Sequence, residues 1–189
     1  MPARVAGAAR LGLVADTPNL IAFDMGGTTA KASLVEGGRV SLTTEYEFRE
    51  GISTSSRFIK AGGYMLKVPA IDIAEVGAGA GSIAWIDDGG LLRVGPESAG
   101  AHPGPACYGQ GGARPSVTDA NVALGFLSPA YLAGRELRIY AQRARAAIRA
   151  HVAEPLGLSV HEAAHGIREV ANANMARAIR SVTIERGRD

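Results

Sequence analysis

The residues best suited to bind a ligand or carry out chemistry form the glycine-rich turn Asp24-Met25-Gly26-Gly27-Thr28-Thr29. This turn lies between two strand-like runs. Two glycines let the backbone turn sharply and approach a ligand without Cβ atoms in the way. Successive N–H groups in such a turn form an anion-binding nest, and the two threonines add hydroxyl donors. A carboxylate repels phosphate, so the natural partner of Asp24 is a hydrated Mg²⁺ ion that bridges to the phosphates.

The turn therefore predicts a nucleotide-phosphate site in which Gly26, Gly27, Thr28 and Thr29 hold phosphate and Asp24 holds the metal ion. Its place between two strands separates it from the phosphate loops that join a strand to a helix. The alternative is a plain tight turn with no ligand.

A second glycine-rich turn, Val76-Gly77-Ala78-Gly79-Ala80-Gly81-Ser82, precedes another strand-like run. Its backbone N–H groups would cradle a phosphate or a substrate carboxylate. Close packing of the backbone against another segment explains the alternating glycines equally well. Both interpretations stay open at this point.

Five further side chains are weaker candidates for chemistry. Asp72 and Glu75 are candidate metal ligands or a base, although acidic residues near strand ends are more often only solvated. His102 and Cys107 share a loop, where a cysteine nucleophile with a histidine base is one interpretation and a semi-buried thiol is the favoured one. Asn174 falls on the apolar stripe of the last helix and must be hydrogen-bonded there, either to neighbouring backbone or in a nucleotide cleft.

The elements that would position these residues fall into three regions: residues 20–95 are strand-rich, residues 96–117 form a Gly/Pro loop, and residues 118–189 are helical. A short helix is predicted before Thr17-Pro18. The predicted strands are Leu20–Asp24, Lys31–Glu36 and Arg39–Phe48 with a hairpin turn at Gly37-Gly38, then Ser82–Asp87 and Leu91–Gly95 around Asp88-Gly89-Gly90.

Three helices are predicted in the last region, each from a local signal. The first is capped by Asp119 and ends at Gly125. The second covers Leu137–Ala153 and stops at Pro155. The last starts with a capping box of Ser159 and Glu162. Apolar residues at 3.6-residue spacing follow that capping box.

Composition excludes several classes of protein. The chain has 189 residues, of which 47% are hydrophobic and 20% charged, as in a soluble globular protein. A net charge of +2 without clustered basic residues argues against a nucleic-acid surface. No apolar run approaches the roughly 20 residues that span a bilayer, and a single cysteine rules out an internal disulfide. We therefore expect a cytoplasmic protein with no nucleic-acid and no membrane partner.

Four motifs resemble those of the hydantoinase A/5-oxoprolinase family, and together they cover nearly the whole chain in the family's order. The run from Phe23 to Lys31 resembles the family's second phosphate motif. The family's long loop is resembled by Val94 to Gly100 together with Pro103 to Gly109. Two later signatures of the family are resembled by Thr118 to Asn121 and by Ala171 to Arg177.

The resemblance implies an α/β fold of the actin-like (sugar kinase/Hsp70-type) ATPase class, here as a half-domain of β-hairpins followed by a Gly/Pro-rich loop and C-terminal helices. Family members use ATP to open cyclic amides such as 5-oxoproline or hydantoins, or to carboxylate ketones. A hydantoinase B-type subunit or domain usually completes the enzyme.

Some positions depart from the family pattern. Ala80 stands where many relatives have Gly, and His102 where many have Asp, so no carboxylate is expected at that loop position. Lys31 resembles the hydantoin-type branch of the family. Of the three nucleotide motifs of the fold, the chain shows only the second phosphate motif, so we expect weak ATP binding, or none, by the chain alone.

The sequence therefore predicts that residues 1–189 are a partial hydantoinase A/oxoprolinase domain of an ATP- and Mg²⁺-dependent hydrolase of small cyclic amides. Two alternatives stay open. One is a ketone carboxylase subunit with the same ATP site, and the other is a non-catalytic module that only docks a partner. Catalytic residues are not assigned.

Overall fold

The computed structural model describes residues 1–44, 46–49, 52–54, 64–66, 69–129 and 136–188 of an α/β protein. The chain divides into two compact units, each built from separate stretches of sequence. Unit 1 comprises Met1–Met25, Ala30–Val76 and Met175–Asp189, and unit 2 comprises Gly26–Thr29 and Gly77–Asn174.

The described elements begin with one helix, continue with a series of strands and end with a group of helices. The strands are β1 (Leu20–Met25), β2 (Ala30–Glu36), β3 (Arg39–Val40), β4 (Leu42–Thr43), β5 (Tyr46–Arg49), β6 (Ile52–Thr54), β7 (Tyr64–Leu66), β8 (Ala70–Ile71), β9 (Ala74–Val76), β10 (Ser82–Ile86) and β11 (Leu92–Ser98). The helices are α1 (Pro2–Val14), α2 (Val117–Ala123), α3 (Ala141–Ile148), α4 (Glu154–Leu156) and α5 (Val160–Val182).

The centre of unit 1 is an antiparallel sheet in which β2 pairs with β1, β3 and β9. The β2–β3 turn is Gly37-Gly38, and both glycines have positive φ (57° and 72°). A two-residue hairpin turn of the primed type requires this conformation, because only it matches the twist of the flanking strands. The predicted hairpin is confirmed.

The predicted single strand over Arg39–Phe48 is wrong, because the chain changes partners at Ser41. The amide of Ser41 donates to the carbonyl oxygen of Leu34 (3.2 Å), and its own carbonyl accepts from the amide of Asp72 (2.9 Å). β3 therefore stays on β2, whereas β4 pairs with β8 and β5 pairs with β6 and β7. Residue 45 of the predicted strand lies outside the described residues.

Two apolar clusters hold helices against this sheet. Val5 and Ala9 of α1 pack on Ala22 and Val35, which confirms the short helix predicted before Thr17-Pro18. Near the end of α5, Ala178 and Val182 pack with Ala32 of β2 and Ala74 of β9. The 3.6-residue spacing predicted for this helix thus marks its buried side.

Unit 2 contains the second predicted hairpin, which is confirmed as β10 paired antiparallel with β11. Strand β11 continues past Gly95 and Pro96 to Ser98. After it, the Gly/Pro loop contains a 3₁₀ turn at Ala106–Tyr108. A buried cluster of Cys107, Val122, Ile139 and Ala144 joins this turn to α2 and α3.

The helices of the last region differ from prediction at three points. The helix predicted from Leu137 begins only at Ala141, with Tyr140 as its N-cap. Ser116 is the N-cap of α2, and Asp119 is its third residue, so the predicted Asp119 cap is wrong. Pro155 does not stop the preceding helix, because a π-helical turn at Arg149–Ala153 leads into α4, where proline lies in the first turn and needs no N–H partner. Gly157, with φ of 64°, ends α4 instead.

The capping box of α5 is confirmed. The amide of Glu162 donates to the hydroxyl of Ser159 (3.2 Å), and the amide of Ser159 donates to the carboxylate of Glu162 (2.9 Å). Neither this helix nor any other among the described residues is long and apolar enough to cross a membrane.

Unit 1 also holds an ion pair with one buried member, and the loss of this pair should be measurable. Asp72 is 2% exposed and pairs with Arg186, which lies in a 3₁₀ turn after α5. Arg186→Ala is expected to lower the free energy of unfolding by about 2 kcal/mol in urea denaturation. This is less than the loss for a fully buried pair, because Arg186 is partly exposed.

The matched control is Arg188→Ala, whose pair with Glu36 is exposed on both sides. It should cost less than about 1 kcal/mol. Equal losses in the two variants would contradict the importance of burial at Asp72.

Candidate functional site

The predicted phosphate turn, Gly26–Thr29, is a short exposed segment of unit 2. One hydrogen bond closes it, from the amide of Gly26 to the carbonyl oxygen of Thr29 (2.8 Å). A Cβ on Gly27 would meet no atom within 4 Å, so the space beside it is open. Within the described part of the chain, the amides of Gly27, Thr28 and Thr29 and the two threonine hydroxyls make no hydrogen bond. These donors are the ones that an anion would need.

The second glycine turn packs directly against the first. The amide of Ala80 donates to the carbonyl oxygen of Gly26 (3.0 Å), and the amide of Gly81 donates to that of Gly27 (2.6 Å). A Cβ on Gly79 would lie 2.7 Å from the oxygens of Gly26 and Gly27, so only glycine permits this approach. Of the two interpretations of this turn, close backbone packing is therefore confirmed, and the amides of Ala80 and Gly81 are already used.

This packing orients the amides of the phosphate turn. A trans peptide unit is planar, and its C=O and N–H point in opposite directions. When the carbonyls of Gly26 and Gly27 are held by the second turn, the N–H groups of Gly27 and Thr28 must point away from it. The hydrogen bonds thus turn the positive ends of two peptide dipoles outward.

A buried carboxylate holds the Gly/Pro loop in unit 2. Asp119 is fully buried and accepts hydrogen bonds from the amides of Ala106 (3.2 Å) and Cys107 (2.7 Å). It also accepts from the amide (2.8 Å) and the hydroxyl (2.7 Å) of Ser116. Several donors are what a buried charge requires, so this side chain fixes the loop to the start of α2.

Cys107 is a structural thiol. Burial is the main cause of its raised pKa, and the neighbouring Asp119 carboxylate raises the pKa further. A nucleophilic cysteine needs the opposite shift. His102 is exposed on the loop. The structure therefore supports the favoured interpretation of a thiol without a nucleophilic role, although Cys107 is fully buried and not semi-buried.

The three candidate carboxylates of unit 1 each face a cation. Asp24, near the end of β1, pairs with Arg4 of α1, whose side chain is 69% exposed. Glu75 pairs with Lys31 (3.3 Å), and the buried Asp72 pairs with the partly exposed Arg186. Among the residues that the structure describes, no three His, Cys, Asp or Glu side chains converge into a metal site.

Asn174 and Ser98 make further polar contacts in unit 2. Asn174 donates to the carbonyl oxygen of Val94 (3.2 Å), so the predicted bond to neighbouring backbone is confirmed. Ser98 was not singled out by its sequence, yet its hydroxyl donates to the carbonyl oxygen of Gly27 (3.4 Å) and accepts from the amide of Gly100 (3.2 Å). It also lines a cleft of about 350 Å³ in the Gly/Pro loop.

Comparison of the sequence with known proteins assigns the chain to a family. The sequence model of the hydantoinase/oxoprolinase family matches residues 2–189. The chain belongs to the hydantoinase/oxoprolinase family. It is 47% identical over 171 residues to the caprolactamase subunit alpha of Pseudomonas jessenii.

Two solved structures share the fold of this chain. The crystal structure of the ATP-dependent caprolactamase from Pseudomonas jessenii matches with a TM-score of 0.78 at 45% identity. A nucleotide-free structure of acetone carboxylase, from a study of ATP-dependent acetone carboxylation, matches with a TM-score of 0.82 at 30% identity. Each match covers 98% of this chain.

The chain spans only part of these relatives. It matches 23% of the caprolactamase subunit alpha sequence, over 90% of its own length. It matches 25% of the caprolactamase chain and 24% of the acetone carboxylase chain in the two structures.

The contact between the two glycine turns can be tested with Gly79→Ala. The new Cβ would collide with backbone atoms that cannot rotate away, so the phosphate turn must shift. We expect the backbone amide NMR signals of Gly26, Gly27 and Thr28 to move, and the free energy of unfolding to fall by about 1–3 kcal/mol.

The control is Gly7→Ala in α1, where a Cβ meets nothing within 4 Å. It should leave those signals in place and stabilise the helix by up to about 1 kcal/mol. Unmoved turn signals in Gly79→Ala would contradict the close packing.

The buried thiol predicts a pH dependence of stability. An unfolded cysteine titrates near pH ~8.5, whereas the pKa of folded Cys107 is raised. Above the unfolded pKa the unfolded chain binds fewer protons, so stability is present at lower pH and is lost as pH rises. Urea unfolding should show a loss of about 1 kcal/mol between about pH 8 and 9.5.

Cys107→Ala should remove this slope, whatever it does to the stability at neutral pH. A slope that persists unchanged in Cys107→Ala would show that another group causes it.

Proposed function

We propose that this chain supplies the second phosphate-binding segment of an ATP-dependent enzyme with an actin-like ATPase fold. The observation that carries the proposal is the turn Gly26–Thr29, whose carbonyls are held by the second glycine turn while three amides and two hydroxyls have no partner among the described residues. Both structural relatives are described as using ATP. Residues 1–189, with regions 20–95, 96–117 and 118–189, are then part of one family domain.

In this proposal Gly26, Gly27, Thr28 and Thr29 hold the phosphates of ATP, and Asp24 organises Mg²⁺. The residues fit these groups. Gly27 leaves open space for phosphate oxygens, and Mg²⁺ commonly takes one or two carboxylates together with water and phosphate oxygens. The pair of Asp24 with the exposed Arg4 is of a kind worth about 0–1 kcal/mol, so a divalent ion can displace it.

The proposed reaction is hydrolysis of a small cyclic amide of the hydantoin, 5-oxoproline or lactam type. ATP supplies the phosphoryl group that activates an otherwise unreactive amide carbonyl. The residues of this chain would bind the phosphates and keep the turn rigid, and its catalytic residues are not assigned. Support comes from the higher identity to the caprolactamase chain (45%) than to the acetone carboxylase chain (30%).

The assembly proposed for this function includes a hydantoinase B-type subunit or domain. The relative with 47% identity is named as the alpha subunit of its enzyme, which supports a multi-subunit assembly. A cytoplasmic location fits the single, free cysteine.

A ketone carboxylase subunit is the second candidate, because the acetone carboxylase chain gives the TM-score of 0.82 against 0.78 for caprolactamase. The phosphate turn would serve both reactions. Substrate dependence separates them: a hydrolase should split ATP faster with a lactam or hydantoin, and a carboxylase with a ketone and bicarbonate.

The test of the proposal is Asp24→Asn in the assembled enzyme. Loss of the carboxylate should lower Mg²⁺-dependent ATP hydrolysis roughly 100-fold, since metal-held charge is worth several kcal/mol in phosphoryl transfer. Asp88→Asn, in the exposed turn between β10 and β11, is the control and should keep full activity. Unchanged hydrolysis in Asp24→Asn would instead favour the non-catalytic docking module.

A further inference from the structure

Thr118 joins α2 to the glycine turn that supports the phosphate turn. It is 4% exposed, and both its amide and its hydroxyl donate to the carbonyl oxygen of Ala80 at 2.8 Å. That carbonyl belongs to the same peptide unit as the amide of Gly81. The Gly81 amide is the group that donates to the carbonyl of Gly27 at 2.6 Å.

The Ala80–Gly81 peptide unit therefore accepts two hydrogen bonds at its carbonyl oxygen and donates one from its N–H group. Because its C=O and N–H lie in one plane, the two bonds from Thr118 set the direction in which the Gly81 N–H points. Acceptance of hydrogen bonds at the carbonyl also polarises the peptide unit and strengthens its N–H as a donor. The short bond to Gly27 agrees with this arrangement.

The backbone on both sides of Thr118 is held in place. Ser116 and Asp119 on either side of it form the capping box of α2, and Asp119 is bound to the amides of Ala106 and Cys107 in the Gly/Pro loop. The hydrogen bonds thus form a continuous series from the Gly/Pro loop, through Thr118 and the Ala80–Gly81 peptide, to Gly27.

We propose that Thr118 is a positioning residue for phosphate binding. By fixing the Ala80–Gly81 peptide plane, it holds the carbonyl of Gly27 on the second turn and keeps the amide of Thr28 turned outward toward the phosphate. This role rests on the proposed function, because it assigns phosphate to the amides of the turn. Thr118 itself does not contact the nucleotide.

Substitutions at Thr118 and Thr183 separate this role from ordinary packing. Thr118→Val keeps the shape of the side chain and removes the hydroxyl, whereas Thr118→Ser keeps the hydroxyl. Thr183→Val is the matched control, since the Thr183 hydroxyl also donates to a backbone carbonyl, that of Ile179 at 2.9 Å, near the end of α5. Thr118→Ala deletes the hydroxyl without placing a methyl group against the Ala80 carbonyl, and it replaces Thr118→Val if that variant does not fold.

The measurement is a calorimetric titration of the assembled enzyme with Mg-ATP, which gives the dissociation constant directly. Thr118→Val should raise the dissociation constant roughly tenfold, the effect of one hydrogen bond. Thr118→Ser should restore it to within about twofold, and Thr183→Val should leave it unchanged. Equal affinity in Thr118→Val and the unmodified chain, or an equal loss in Thr183→Val, would overturn the proposal.

Amide hydrogen exchange provides a second readout that needs no nucleotide. The Gly81 amide should exchange roughly tenfold faster in Thr118→Val than in Thr118→Ser, because its hydrogen bond to Gly27 is weakened. Unchanged exchange would overturn the positioning role by itself. If the unmodified assembled enzyme binds no Mg-ATP while exchange responds as expected, the nucleotide assignment fails and the coupling of Thr118 to the turn stands.

Discussion

The local structure of the phosphate turn depends on two hydrogen bonds, from the amides of Ala80 and Gly81 to the carbonyls of Gly26 and Gly27. An exposed Gly-Gly pair has many conformations open to it. Anchoring two successive carbonyls removes most of them, and the planarity of the peptide then directs the following N–H groups outward. Gly79 makes the contact possible because it brings no Cβ into the interface.

These hydrogen bonds matter more for orientation than for stability. A neutral hydrogen bond adds only about 1 kcal/mol to the free energy of folding. Such a bond also lowers the free-energy cost of ligand binding, because donors that already point at a ligand do not have to be ordered when the ligand binds. The buried Asp119 serves the same end: its charge is compensated by four hydrogen bonds, and these fix the Gly/Pro loop beside Thr118.

Much of the fold followed from patterns within a few residues of each other. The Gly37-Gly38 hairpin, the β10–β11 hairpin and the Ser159/Glu162 capping box are local, and their prediction was correct. Contacts between distant residues had no such pattern. The alternating glycines of 77–81 indicated that something lies close to the backbone but not that it is Gly26 and Gly27, and nothing local pairs Asp72 with Arg186. The Asp119 cap was wrong because Ser116 and Asp119 are both good capping residues in one turn.

The most direct test is a crystal structure of the proposed enzyme assembly with Mg²⁺ and a non-hydrolysable ATP analogue. Phosphate oxygens should lie within about 2.7–3.2 Å of the amide nitrogens of Gly27 and Thr28, which is the hydrogen-bond range. The amides of Ala80 and Gly81 should stay on the carbonyls of Gly26 and Gly27. A triphosphate bound away from this turn, or a turn whose carbonyls have rotated toward the phosphates, would contradict the proposed phosphate site.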